Sequence, residues 1–349
     1  MHKAYLTLEN GTVFQGQFFG KPADVTGEIV FTTGMNGFLE TITDPSCFGQ
    51  IVVQTFPLVG NYGVISSDFE SDNIQAQAYI IKYPCQEPSN FRSEEALDTF
   101  FVRQGKVGLC GIDTRALTKI IRDNGVMAAR ISTNPLSKAE IVMLGEYVIT
   151  NAVADVSCKK LTVHGNGEYR VALLDLGVCR STIDALTARG CTVHVFPHNS
   201  TATEILAISP HGILLSSGPG NPDDVANKPI IETIRHLQQS ELPMLGICLG
   251  HLLLAHANGY ATEKLKFGHR GANQPVKEVA TGKIYITAQN HGYVVTQNTE
   301  QVSFVNVNDN TIEGLDYGNA FSVQFRPGTG PKDTDFIYDR FVMEVVKNA

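Results

Sequence analysis

The chain has 349 residues, 43% hydrophobic and 18% charged, with a formal net charge of −8. That size holds about two domains, and the acidic balance supplies no basic surface to offset nucleic-acid phosphate. No apolar run is long enough to cross a bilayer, Met1 to Asn10 lacks a signal-peptide pattern, and the seven scattered cysteines form neither a disulfide framework nor a zinc motif. A reduced, cytoplasmic protein with no metal site is expected.

Ala4 to Leu8 and Val13 to Phe18 read as strands joined by an Asn10-Gly11 turn. Helices are predicted from Ser93 to Gln104 and from Asp113 to Arg122, where apolar residues recur at helical spacing. Residues 157–167 are polar and contain two glycines, so a domain of 1–156 is expected to give way to one of 168–349. Strand and helix then alternate: Val171 to Leu176, Ser181 to Arg189, Thr192 to Phe196, Gly212 to Leu215, Ile230 to Gln239 and Met244 to Ile247. The alternation predicts a mostly parallel sheet covered by helices, with ligands at the carboxyl ends of its strands. Strands from Lys283 to Thr287 and from Ala320 to Phe325 follow, then a helix from Asp335 to Lys347.

Cys248 sits where such a ligand would. In Gly246-Ile247-Cys248-Leu249-Gly250-His251, an apolar strand runs into a predicted helix through a cysteine flanked by glycines. A sharp strand-to-helix turn presents the side chain between them, and a helix N-terminus favours thiolate over thiol. A buried structural cysteine is the bland alternative, which the Gly-x-Cys-x-Gly frame disfavours. A dinucleotide site is not indicated, because residues 174–180 after the first strand of this region lack the Gly-x-Gly-x-x-Gly turn.

Three blocks of this region resemble the class I (triad) glutamine amidotransferases: the run from Ser216 to Pro222, the Cys248 elbow, and Gln289-Asn290-His291-Gly292-Tyr293. The first half resembles the small subunit of carbamoyl-phosphate synthase in Gly27 to Phe31, Thr43-Asp44-Pro45-Ser46, Gly49 to Val52, Pro57 to Gly63 and Gly111 to Arg115, as does Lys266 to His269 later. The resemblance implies an α/β chain: an N-terminal small-subunit domain of mixed strands and helices that packs on a large subunit, then a class I amidotransferase domain. It also implies that Cys248 attacks the glutamine side-chain amide, that amides near Gly220 and Leu249 hold the oxyanion, and that Ser46, Gly218, Gly220, Leu249, Asn290, Gly292 and Tyr293 bind glutamine. Ammonia then passes to the large subunit, which uses bicarbonate and ATP with magnesium; no cofactor is implied on this subunit.

The resemblance fails where the family carries a His-Pro-Glu sequence. Here Val323-Gln324-Phe325 leads into Arg326-Pro327-Gly328, with a slightly shortened loop beyond, and Leu252 replaces a glutamine that helps bind substrate. Arginine stays protonated at any working pH and cannot carry a proton to departing ammonia. After Cys248 only His251, His256, His269 and His291 remain as bases. His291, in the glutamine-site block, is the best substitute; otherwise it orders the site loop. Efficient glutamine hydrolysis is therefore doubtful. A triad-defective partner of an ammonia-dependent large subunit is the alternative, and a cysteine hydrolase acting on another amide or ester is a more distant one.

Overall fold

The protein is described from a computed structural model covering residues 2–297 and 299–349. Its chain forms two compact units, Met1–Thr150 and Asn151–Ala349. The division falls earlier than the polar stretch at 157–167. Helix Ala152–Val156 buries Val153 with Leu174, Leu176 and Ile213 of the second unit. Strand Thr162–His164 pairs antiparallel with Cys191–Pro197. What reads as a linker is thus an edge strand, and one of its flanking glycines is a packing residue: a Cβ on Gly167 would lie 1.9 Å from the Gly190 carbonyl oxygen.

In the first unit seven strands close into a barrel, in the order Lys3–Leu8, Val13–Gly20, Val107–Cys110, Ala78–Ile80, Gln50–Gln54, Val25–Thr32 and Met127–Ser132. The first two form the expected hairpin, with Gly11 at φ 85° and the Thr12 amide donating to Asn10 Oδ1 at 3.0 Å. Three neighbouring pairs are parallel, which requires crossovers. Helices Phe38–Thr43 and Leu97–Arg103 lie on two of them and bury Phe38, Leu39, Ile42, Phe100 and Phe101. The latter helix starts later than its apolar spacing suggested, with Ala96 as its extended N-cap. Helix Thr114–Asn124 is capped by Asp113, whose Oδ1 accepts from the Ala116 amide at 2.9 Å.

The second unit is built on a ten-stranded sheet. Its parallel centre runs Cys191–Pro197, Tyr169–Asp175, Gly212–Leu215, Met244–Ile247 and Ala320–Val323. Beyond Ala320–Val323 the sheet continues antiparallel through Ile312–Asp316, Val302–Asn306, Thr262–Glu278 and Ile284–Val295. Helices cover both faces of the centre. Arg180–Thr187 and Phe336–Lys347 bury Leu186, Ile337, Phe341 and Val345 on one side. Lys228–Gln238 and Leu249–Ala257 bury Ile230, Ile234, Leu253 and Leu254 on the other. Among the described residues no helix is long and apolar enough to cross a membrane.

Candidate active site

Strand Met244–Ile247 is a fully buried apolar run, and it stops because Cys248 turns to φ 54°, ψ −103°. That conformation costs a non-glycine residue about 1–3 kcal/mol and persists where surrounding structure imposes it. The Cys248 amide donates to the Val323 carbonyl at 2.9 Å, and its own carbonyl accepts from the Leu252 amide in the first turn of helix Leu249–Ala257. The flanking glycines are steric necessities. A Cβ on Gly246 would lie 2.8 Å from the Gly250 carbonyl oxygen, and one on Gly250 would lie 2.3 Å from that of Leu215. The elbow is as tight as its sequence frame suggested.

The loop after Gly212–Leu215 packs beside it. Ser216 Oγ accepts from the Leu176 amide at 2.9 Å and donates to the Ser217 carbonyl at 2.8 Å. Gly218 lies so close to Leu176 and Leu249 that a Cβ would come within 2.1 and 2.9 Å of them, and Gly220 takes φ 96°. Leu249 opens the helix and is itself buried. Across the elbow, strand Ile284–Val295 brings the Asn290 carbonyl within 3.9 Å of Cys248 Sγ. Gly292 and Tyr293 continue that strand, with a Cβ on Gly292 only 3.3 Å from Arg270 Nη2. Ser46 belongs to the first unit, on the turn Pro45–Cys47, where its amide donates to Asp44 Oδ1 at 2.9 Å.

Arg326 is buried just past Ala320–Val323, and its amide donates to the Ala288 carbonyl at 2.9 Å. Gly328 takes φ 68°, and a Cβ there would lie 2.3 Å from Asp335 Oδ1. A side chain at 328 would thus require the Asp335 carboxylate to swing aside. Leu252 is buried with Ala255, Val295, Ile312 and Leu315, and Tyr293 packs against that group. An apolar contact occupies the place where an amide was expected.

The four histidines after Cys248 each hold other partners. His251 is completely buried, its Nδ1 is 2.8 Å from Ser322 Oγ, and burial pulls its pKa down to about 3. His256 Nε2 is 3.1 Å from Thr262 Oγ1 and 3.4 Å from Asp223. His291 Nδ1 is 3.0 Å from the Tyr293 carbonyl oxygen and its Nε2 is 3.0 Å from Gln289 Oε1. Burial, reinforced by the charge of His269, holds His291 well below the usual histidine range. His269 is also buried, which opposes its charge, but Glu313 and Asp309 outweigh that and raise it. The carboxylates around His269 lie forty and more positions away in the chain, and nothing in the sequence pattern marked them.

Residues 6–131 match the family model for the carbamoyl-phosphate synthase small chain, CPSase domain, and residues 172–344 match that for glutamine amidotransferase class-I. A carbamoyl phosphate synthase small chain of Listeria monocytogenes is 44% identical over 353 residues, covering 98% of this chain and 96% of its own. The chain belongs to the carbamoyl phosphate synthase small chain family. A small chain of Clostridium perfringens is 43% identical, covering 97% of this chain and 99% of its own. A pyrimidine-specific carbamoyl phosphate synthase small chain of Halalkalibacterium halodurans is 45% identical, covering 99% and 98%. In this small chain the first match lies within the barrel unit and the second within the sheet unit. The Cys248 elbow, the Ser216–Gly220 loop and the Asn290–Tyr293 strand all fall within the amidotransferase match.

Proposed function

We propose that this chain is the glutaminase subunit of a cytoplasmic carbamoyl phosphate synthase and that it turns glutamine over slowly. The strained backbone of Cys248, at φ 54° between strand and helix, carries the reading. A buried cysteine with a merely structural part has no need of that conformation. Cys248 Sγ attacks the side-chain carbonyl carbon of L-glutamine. The carbonyl oxygen becomes an oxyanion held by the amides of Leu249 and Gly220, donors of the kind acyl transfer requires. Gly218, Asn290, Gly292 and Tyr293 hold the substrate. The C–N bond then breaks as the nitrogen takes a proton from solvent and leaves as ammonia, and water hydrolyses the thioester to glutamate and the Cys248 thiol.

The proton step is the weak one. Arg326 favours the thiolate by its charge but cannot donate and recover a proton, and Gly328 brings no carboxylate to orient a base. A positioned general base contributes about 10²–10⁴ in rate, and that contribution is missing. His291 serves as a positioning residue for its strand, since its Nδ1–H donates to the Tyr293 carbonyl. Ammonia passes to a large subunit that uses bicarbonate, ATP and magnesium, and the barrel unit packs on that partner. A triad-defective partner of a large subunit fed by free ammonia is the second reading.

The test is mass spectrometry of the assembled complex quenched with acid during turnover, for wild type and Cys248→Ser. A glutamyl adduct on Cys248, with glutamine-dependent ammonia release lost in the variant, supports the glutaminase. Glutamine-dependent release that survives Cys248→Ser contradicts it. Ammonia-driven synthesis with no adduct and no release favours the second reading.

A further inference from the structure

Behind the Asn290–Tyr293 strand lies a buried polar cluster that the glutaminase reading does not use. Strand Thr262–Glu278 contributes His269, strand Ile284–Val295 places His291 directly opposite it, and strand Ile312–Asp316 contributes Glu313. One donor atom from each of the three lies within 4.8 Å of the others. Glu313 Oε1 is 3.4 Å from His269 Nδ1, and the two imidazole rings meet edge to face at 5.0 Å.

Each histidine has its outer nitrogen engaged. His269 Nε2–H donates to Asp309 Oδ2 at 2.8 Å, and His291 Nδ1–H donates to the Tyr293 carbonyl at 3.0 Å. Metal-ligating histidines are held in this way, with the second N–H on a carboxylate or a backbone carbonyl. A metal would release the proton that Glu313 favours on His269 Nδ1, so that His269 Nδ1 and His291 Nε2 offer the lone pairs. Asn306 Nδ2 donates to Glu313 Oε1 at 3.0 Å and reaches His269 Nδ1 only at 3.4 Å.

Two further observations point to a cation. Glu313 is 0% exposed, and its Oε2 has no hydrogen-bond partner among the described residues. His291 Nε2 faces Gln289 Oε1 at 3.0 Å. In this orientation of the amide, Gln289 Nε2 donates to Thr287 Oγ1 at 3.1 Å, and Thr287 Oγ1 donates to the Gln274 carbonyl at 2.9 Å. With His291 Nδ1–H committed to Tyr293, two acceptors confront each other. A cation between them removes the conflict.

We propose that His269 Nδ1, His291 Nε2 and Glu313 bind a divalent transition-metal ion of the zinc class, with Gln289 Oε1 as a fourth donor. Two imidazole nitrogens with carboxylate oxygen suit zinc better than magnesium or calcium. Metal–ligand bonds of about 2.0–2.2 Å in a tetrahedron set donor separations near 3.4 Å, so the cluster contracts modestly on binding. A site with four protein donors is structural. It ties together the three antiparallel strands that support Asn290 behind the nucleophile.

The full-length chain, stripped with chelator, is titrated with zinc chloride, and retained metal is measured by plasma mass spectrometry after desalting. Cobalt chloride then serves as a spectroscopic probe. The expected result is about one equivalent of metal, a raised Tm, and the intense visible bands of tetrahedral cobalt. Cys248→Ser should keep the metal, because the thiolate is not a ligand, whereas Glu313→Gln and His269→Gln should lose it. If those variants fail to fold, wild-type stoichiometry and the cobalt spectrum decide the matter. Retention below about a tenth of an equivalent at micromolar zinc, far weaker than structural zinc sites, overturns the proposal. So does metal that is lost in Cys248→Ser yet kept in Glu313→Gln, or a doubly protonated His291 in nitrogen NMR spectra of the zinc-treated protein.

Discussion

A side chain at Gly328 meets a backbone penalty and requires the Asp335 carboxylate to move. The φ of 68° penalises any side chain, and a Cβ would lie 2.3 Å from Asp335 Oδ1. Gly328→Ala should therefore cost about 1–2 kcal/mol from the left-handed backbone alone, read as a lower urea midpoint. Adding Asp335→Gly should recover the steric part of the loss and leave the backbone part. Arg326→His without a carboxylate at 328 should raise glutamine-dependent ammonia release by less than the roughly 10²–10⁴ of a well-positioned base. His251 predicts a pH effect with a definite sign. Complete burial lowers its pKa to about 3 in the folded chain, against 6.5 for a solvated histidine. The unfolded chain therefore takes up the proton first. This residue's contribution is fully present above about pH 6.5 and declines as pH falls toward about 3, by roughly 2 kcal/mol at pH 5. His251→Asn should flatten the fall of Tm between about pH 6.5 and 4.5; an unchanged slope would show that His251 is not the buried neutral base described above.

Helix Leu249–Ala257 carries the elbow at one end and an apolar contact in its first turn. Leu252 is 3% exposed among Ala255, Val295, Ile312 and Leu315. Leu252→Gln places an amide in that apolar group at a cost of about 1–3 kcal/mol unless it finds partners. A lower denaturation midpoint with no fall in KM for glutamine is the expected outcome. Elements bounded by clear signals were legible in the sequence. Gly212–Leu215 and Met244–Ile247 are short apolar runs closed by turn residues, and their limits match those in the fold. Strand Thr262–Glu278 was not legible, because register shifts between Lys264 and His269 and between Gly271 and Gln274 break the alternation that marks a strand. The tight turn at Cys248 was readable from glycine spacing. The cluster of His269, His291 and Glu313 was not, since antiparallel pairing of distant segments brings it together.

At the scale of the molecule, the division between units is itself testable. A fragment of residues 151–349 keeps helix Ala152–Val156, with Val153 in its core, and the edge strand Thr162–His164. A fragment of 168–349 loses both. Burying one valine contributes about 1.5–3 kcal/mol, so the longer fragment should be the more stable by at least that order in urea; equal midpoints would place the boundary where the polar stretch suggested. Seven-strand closure of the first unit escaped the sequence because three of its pairings are parallel crossovers between short strands. The central proposal concerns the second unit: a Cys248 nucleophile that lacks a proton carrier. Its most direct test is carbamoyl phosphate formation by the assembled complex, driven by saturating glutamine and then by saturating ammonia. The account predicts a glutamine-driven rate lower by at least about 10² and dependent on Cys248. Equal rates from the two nitrogen sources would contradict it.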